Sequence, residues 1–397
     1  MANASTFNFA VISNEPTPYR LHLLGRLAHE LPDARLHSIF THAVDDPSMP
    51  WRMQLDEAIR PVFFPKSHLR AGAIGLRATG LFRAITDYLV EHDVRMIVLM
   101  GWGDLVRLRL MKWARANNLA VYLRGDSNVF SEGRVRGPKR WVKAAVMRWV
   151  IRHSDGLMPM GTCGRAFFRL YLDHDKPTFL CPYEPDYTAI EACDTAKRDA
   201  FAAEHSLDRG RKRLLYCGRF VPQKRVGNLL DAFAQVADEA TDWDLVLAGD
   251  GPLRESLQAR VPQRLRQRVK WLGFLQFDQT VACYHCCDAL VLPSDYEPWA
   301  LVINEAAAAG LGIVASEVVG AAVELVRHRV NGLLVTPRST DALAEALREI
   351  TQPGVCEAMR SNAPRILADW RTAADPVQGV QDAIDHARRI RMEAGHD

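Results

Sequence analysis

The stretch that most constrains this chain is residues 289–309. An apolar run, Ala289-Leu290-Val291-Leu292, leads into the acidic, proline-bounded loop Pro293-Ser294-Asp295-Tyr296-Glu297-Pro298-Trp299. From Ala300 to Ala309 every residue then tolerates a helix. An unbroken aliphatic run of this length has the pattern of a parallel strand buried on both faces, so the stretch predicts a strand, a tight loop and a helix. The unpaired N–H groups and partial positive charge at such a helix start suit a phosphate. Two carboxylates flank this corner. Glu297 lies in the loop and Glu305 in the second turn of the helix, so the first can reach over the strand ends while the second faces the base of the same crevice. A carboxylate is a paired acceptor for the vicinal hydroxyls of a sugar or a ribose. The competing reading makes both of them solvated surface acids.

With 397 residues the chain fits two domains of about 200. It contains no run of 18 or more apolar residues, and residues 1–16 lack the basic start and cleavage site of a signal peptide, so a cytoplasmic protein is expected. Eight scattered cysteines show no paired framework and are expected to be reduced. The cluster Cys283-Tyr284-His285-Cys286-Cys287 falls inside one predicted helix without a second ligand pair at finger spacing, and a structural zinc is therefore rejected. Charge is uneven. Residues 1–184 carry 25 Lys and Arg against 17 Asp and Glu, whereas residues 185–397 carry 25 against 30. The first half is the one expected to face something anionic; a nucleic-acid partner is not expected.

Strands are predicted at 7–13, 35–40, 61–64, 95–100, 119–123, 156–160 and 177–181, and helices at 18–29, 74–90 and 104–116. This alternation implies a parallel sheet with helices on both faces and ligands beyond the carboxyl ends of the strands. Two such ends stand out: Gly101-Trp102-Gly103-Asp104 and Arg124-Gly125-Asp126-Ser127-Asn128. The last can also be read as an ordinary turn with an aspartate helix cap. Residues 133–153 mix Arg134, Arg136, Lys139, Arg140, Lys143, Arg148 and Arg152 with Trp141 and Trp149. Such a helix either lies on an anionic bilayer or packs on the core with a solvated basic face.

A hinge is placed near residue 185. Beyond it, a strand at 213–217 runs into Gly218-Arg219-Phe220-Val221-Pro222-Gln223-Lys224-Arg225, where glycine permits close backbone approach and Arg219 and Lys224 supply the cations a diphosphate requires. A strand at 245–248 ends in Gly249-Asp250-Gly251-Pro252, and another ends in Trp271-Leu272-Gly273-Phe274. A strand at 313–316 follows, and 372–390 reads as one long helix. Asp173-His174-Asp175 and Asp242-Trp243-Asp244 each precede a predicted strand, at the sheet edge away from any ligand, so they are read as solvated acids and no metal is expected.

Glu297 and Glu305 have seven residues between them, follow Pro293-Ser294 and precede Ala306 and Gly310. With Gly218-Arg219 and Lys224, Gly249-Asp250-Gly251-Pro252, Gly320-Ala321 and Asn331-Gly332, they resemble the signature of the retaining GT-B glycosyltransferases of family 4 (glycosyl transferases group 1) over roughly residues 214–350. The resemblance implies an α/β GT-B fold with two Rossmann-like domains facing a central cleft. Residues 1–184 would bind the acceptor, residues 185–371 the nucleotide sugar, and residues 372–397 would form a helix returning to the first domain. It further implies a retaining, metal-independent transfer, without a cofactor, from a nucleotide-diphosphate sugar to a hydroxyl acceptor. UDP is favoured for the donor, and a glycan or lipid-linked glycan of bacterial cell-surface polysaccharide synthesis for the acceptor. The work would be done at the inner membrane face, with residues 133–153 touching anionic lipid.

By the same resemblance Glu297 contacts the donor sugar and Glu305 the ribose, while Arg219 and Lys224 stabilise the departing diphosphate. Gly218, Gly249, Asp250, Gly251, Phe274, Trp299, Ala300, Leu301 and Val302 complete the donor site. Glu15, Tyr19, Arg20, Trp102, Arg124 and Ser127 form the acceptor side. The chain departs from the family in three ways. It has no histidine between His92 and His153, so that catalytic place is either vacant or passes to Asp126 or Ser127; Ala300 stands where many relatives have glycine, and Gly312 where they often have proline. A non-catalytic nucleotide-sugar-binding protein, a sugar-nucleotide epimerase and a glycan phosphorylase remain as alternatives.

Overall fold

The computed structural model describes residues 6–41, 55–64, 74–134, 137–172 and 174–394. The chain divides into two compact units, Met1–Tyr183 together with Ala374–Asp397, and Glu184–Ala373.

In the first unit, six parallel strands are β1 (Phe7–Ser13), β2 (Ala34–Phe40), β3 (Pro61–Phe63), β4 (Met96–Met100), β5 (Ala120–Gly125) and β6 (Gly156–Pro159), ordered β3-β2-β1-β4-β5-β6. Side chains alternate across the sheet, so each strand feeds two cores. Phe9, Val11, Met96, Val98 and Tyr122 meet Leu23, Leu24 and Leu27 of the helix Pro18–Glu30 on one face. Ala10, Ile12, Ile97, Leu99, Val121 and Leu123 meet Ile85, Leu110 and Val150 from three other helices on the opposite face.

The last helix also belongs to this unit, burying Val380, Ala383, Ile384 and Ala387 in the first of these cores. It is not the single helix expected over 372–390. The helices Val355–Ala373 and Pro376–Ala394 are separate, with Trp370 inside the earlier one. Pro376 cannot continue a helix, and the Asp375 carboxylate accepts from the Val377 N–H at 2.9 Å, starting a new one. Residues 177–181, expected as a full strand, make a single bridge between Leu157 and Thr178. Three backbone hydrogen bonds of 2.9–3.0 Å nonetheless tie the segment to β6 through Leu157 and Pro159.

The second unit has its own parallel sheet of β7 (Lys212–Cys217), β8 (Trp243–Ala248), β9 (Val269–Gly273), β10 (Ala289–Leu292), β11 (Gly312–Ser316) and β12 (Gly332–Val335), in the order β12-β11-β10-β7-β8-β9. All four residues of β10 are buried, as a strand covered on both faces requires. One sequence reading fails here. β8 starts at Trp243, and Asp244 is a strand residue only 3 % exposed, with an oxygen 2.9 Å from Arg211 Nε, rather than a solvated acid. The earlier triplet begins at Asp173, which lies outside the described residues; its Asp175 is exposed.

Candidate functional site

The sequence motifs of the second unit gather at the carboxyl ends of β7, β8, β9 and β10. Gly218 (φ 152°), Gly249 (φ 139°) and Gly251 (φ 158°) follow β7 and β8. The loops they begin lie against each other: the Gly218 N–H donates to Ala248 O at 2.9 Å, the Phe220 N–H to Asp250 O at 2.9 Å, and the Gly249 N–H to Gly273 O at 2.7 Å. A Cβ on Gly249 would overlap the Gly218 carbonyl oxygen, and one on Gly251 would lie 2.6 Å from Phe220 O. These glycines are thus required by loop-on-loop packing, a reason distinct from close approach to a ligand. Asp250 is exposed; one oxygen accepts from the Gly251 N–H at 2.7 Å and the other lies 3.1 Å from Arg254. Phe274, just after β9, is 41 % exposed.

Glu297 is only 5 % exposed. Its backbone bridges to Val319, its carbonyl accepts from the Gly320 N–H at 3.2 Å, and its carboxylate is ion-paired with the Lys224 ammonium. Two residues away, Asp295 takes a 2.7 Å hydrogen bond from Arg225 and lies 3.2 Å from Arg338. Burial alone would raise the Asp295 carboxyl, but these two guanidinium groups hold it below the usual range. The loops after β7 and β10 are therefore joined by two neighbouring ion pairs. Arg219 is exposed, and its guanidinium makes no ion pair among the described residues; its carbonyl accepts from the buried Tyr216 hydroxyl at 2.9 Å.

The helix Leu301–Ala308 begins without a side-chain cap, on Ala300 at φ 77° and ψ 80°. Alanine in the left-handed region costs about 1–2 kcal/mol, so the methyl group that replaces a hydrogen here sits on a strained backbone. Leu301 and Val302, half-buried, form the first turn. Trp299 points inward: it is 4 % exposed, its indole N–H donates to Asn304 Oδ1 at 3.0 Å, and its ring lies 5.8 Å from Trp370. Its backbone carbonyl accepts from the Ala321 N–H at 2.8 Å. Glu305, half-buried, accepts a 2.6 Å hydrogen bond from the Tyr284 hydroxyl. Burial raises its carboxyl above the ordinary range, and the tyrosine opposes that shift.

In the first unit the expected acceptor residues lie at the ends of β1, β4 and β5. Arg20 donates to Glu15 O at 2.7 Å, with its guanidinium 3.5 Å from the Glu15 carboxylate. Tyr19 meets Tyr183 edge-on at 4.7 Å. Arg124, 2 % exposed, donates to Cys181 O and Pro182 O at 3.0 Å each, with its guanidinium carbon 4.4 Å from the Tyr183 ring centre. Trp102 covers Gly125, where a Cβ would stand 2.8 Å from an indole carbon. Asp126 is exposed and Ser127 half-buried.

Tyr183 is thus the hub of Tyr19 and Arg124, and sequence reading gave it no role. Arg107 was missed as well; it is 4 % exposed, pairs with Asp104 and donates to Asn14 Oδ1 at 2.7 Å. An arginine following an Asp cap by three residues was the available signal.

Residues 211–352 match the profile of a family described as Glycosyl transferases group 1. A glycogen synthase of Mycobacterium tuberculosis is 32% identical over 263 residues, which is 63% of this chain and 61% of the relative. The chain therefore spans less than two thirds of that relative's length. Among solved structures, sucrose-phosphate synthase from Thermosynechococcus elongatus superposes with a TM-score of 0.75 at 19% identity, over 96% of this chain and 100% of that one. Anabaena Alr3699/HepE, in complex with UDP and glucose, gives 0.70 at 17% identity over 98% and 100%. The fold is that of the GT-B glycosyltransferases.

Proposed function

We propose that this chain is a retaining glycosyltransferase that moves a sugar from a nucleoside-diphosphate sugar, UDP favoured, to a hydroxyl of a glycan or lipid-linked acceptor in cell-surface polysaccharide synthesis. One observation carries the reading: the buried Glu297 and the half-buried Glu305 lie on successive parts of one strand-loop-helix corner where an uncapped helix begins, and Lys224, from the loop after the neighbouring strand β7, ion-pairs with Glu297 there. The UDP and glucose held by the HepE structure support the choice of base.

In this reading the second unit holds the donor, with Glu305 on the ribose hydroxyls and Glu297 on the sugar. Lys224 and Arg219 take up the charge that develops as the diphosphate leaves. The acceptor hydroxyl attacks on the face the diphosphate departs from and gives its proton to a phosphate oxygen, so no separate base is required. Asp126 stands beside the acceptor, which Glu15, Tyr19, Arg20, Trp102 and Ser127 contact, with Arg124 setting Tyr183 behind them. Two cations in the leaving-group position make a metal unnecessary. The test is a stability screen with UDP-, GDP- and ADP-sugars followed by transfer assays in EDTA, magnesium and manganese. A donor at 100 times its Kd is expected to add about 2.7 kcal/mol of stability, and transfer is expected to persist in EDTA. Loss of transfer in EDTA that manganese restores would remove Arg219 and Lys224 from this role. Donor binding without any transfer would make the chain a binding protein.

Contact with an anionic membrane face belongs to the same proposal. No helix among the described residues is long and apolar enough to cross a membrane. The helix Pro138–Arg152 buries Met147, Val150 and Ile151 but leaves Trp141 77 % and Val142 65 % exposed, with Lys139, Arg140, Arg148 and Arg152 also exposed. Lys143 turns inward to Glu132, and Arg136 lies outside the described residues. Reversing Arg140 and Arg148 to glutamate is expected to cost about 2 kcal/mol of binding to phosphatidylglycerol vesicles, with added salt weakening the wild type similarly. Equal sedimentation of wild type and variant would assign the helix to internal packing alone.

A further inference from the structure

The cysteine-rich run rejected as a metal site closes the helix Phe277–His285 just before β10. His285 turns to the Ile190 carbonyl at 2.8 Å, while Cys283, Tyr284 and Cys287 are buried to 1 %, 0 % and 2 % exposure. A phenol shut away from water must find a hydrogen-bond partner. Tyr284 finds two. Its hydroxyl donates to Glu305 Oε2 at 2.6 Å, within the range of charge-assisted O–H···O⁻ bonds. The phenol is also hydrogen-bonded to the thiol of Cys217, the last residue of β7. With its one proton given to the carboxylate, its oxygen accepts from that thiol. The side chain thereby links three elements, β7, the helix Phe277–His285 and the helix Leu301–Ala308.

We infer that Tyr284 is a positioning residue for Glu305, fixing one carboxylate oxygen so that the other is presented to the paired hydroxyls of a nucleotide ribose. The inference rests on the donor-site reading above. Its physical basis is that a glutamate carboxylate turns freely about its last bond, and a ligand offering two hydroxyls needs that rotation stopped. Tyr284 has a second effect on the same group. Facing Glu305 are Tyr284, the Cys217 thiol behind it and, from the helix Tyr187–Glu191, the Tyr187 phenol; none of them carries positive charge. Burial disfavours the ionised form, and the Tyr284 hydrogen bond favours it. A ribose hydroxyl donates, so it requires the carboxylate. Nucleotide affinity therefore falls as pH drops through the Glu305 titration, and removing the phenol hydroxyl moves that fall to higher pH.

The experiment is calorimetry from pH 5 to 8 with UDP and with 2′,3′-dideoxy-UDP, on the wild type, Tyr284→Phe and Glu305→Gln. Tyr284→Phe is expected to weaken UDP about tenfold near neutral pH, the loss of one charge-assisted hydrogen bond, and to shift the acid limb upward, leaving the dideoxy nucleotide unaffected. Glu305→Gln is expected to weaken UDP similarly and to leave only the acid limb that the dideoxy nucleotide also shows, which belongs to the terminal phosphate. A purely structural tyrosine would instead weaken both nucleotides alike without moving the limb, and that result overturns the inference. So does a wild-type acid limb in Glu305→Gln. If the wild type binds no nucleoside diphosphate at all, the donor-site reading itself has failed.

Discussion

Replacing Glu297 with glutamine is expected to lower turnover of the matched donor at least about a hundredfold, roughly 2.7 kcal/mol of transition-state stabilisation. Affinity for the free nucleoside diphosphate should stay the same or rise. The asymmetry comes from the ion pair. In the free protein the Lys224 ammonium is held by Glu297, whose own backbone is fixed by Val319 and Gly320. In the proposed function the diphosphate shares or takes over this lysine, so removing the competing carboxylate without changing its volume frees the cation for phosphate. In the same proposal, what the variant loses is the contact with the sugar, where charge develops only as the bond to the diphosphate breaks. Calorimetry with UDP and initial rates with the matched UDP-sugar separate the two quantities. A folded Glu297→Gln protein with near wild-type turnover would show that the carboxylate belongs to the loop architecture and not to the chemistry.

Burial on both faces made the strands readable. β1 and β10 occupy the residues expected of them because Phe7–Ser13 and Ala289–Leu292 are runs whose only stable home is a covered parallel sheet. Charge misled the reading where it was internally paired. Asp244 looked like the end of a loop because an isolated carboxylate would not be buried, but Arg211 compensates it inside β8. The break at Ala374 and Asp375 was legible, since Asp-Pro is a helix-start signal, and the periodicity of the flanking residues hid it.

The site was less accessible to sequence. That Glu297 and Glu305 share a corner follows from local spacing. That Lys224 reaches Glu297 across 73 positions, and Tyr284 reaches Glu305, depends on which strands are neighbours in the sheet. Single side chains also face ways that no local pattern records: Trp299 and Lys143 both turn into the protein.

Gly379→Ala is expected to destabilise the first unit by about 3 kcal/mol or more, although alanine is intrinsically the better helix former by about 1 kcal/mol. The reason is a backbone-on-backbone contact. Gly379 lies in the first turn of the helix Pro376–Ala394, against Leu180 in the extended segment beside β6. An added Cβ would overlap the Leu180 carbonyl oxygen and stand 2.9 Å from its carbonyl carbon. No flexible side chain can move aside. The segment around Leu180 is tied to β6, so relief requires the helix to withdraw. Val380, Ala383, Ile384 and Ala387 would then lose their packing against the sheet, and the 2.6 Å contact between the Tyr122 hydroxyl and His386 would open. Close-packed interiors do not absorb such a displacement cheaply. Urea denaturation gives the size of the loss, and hydrogen exchange gives its place: faster exchange is expected in residues 376–394 and 177–181, with 212–217 and 289–308 unchanged. An alanine variant as stable as the wild type would mean that this helix does not depend on the close approach at Gly379.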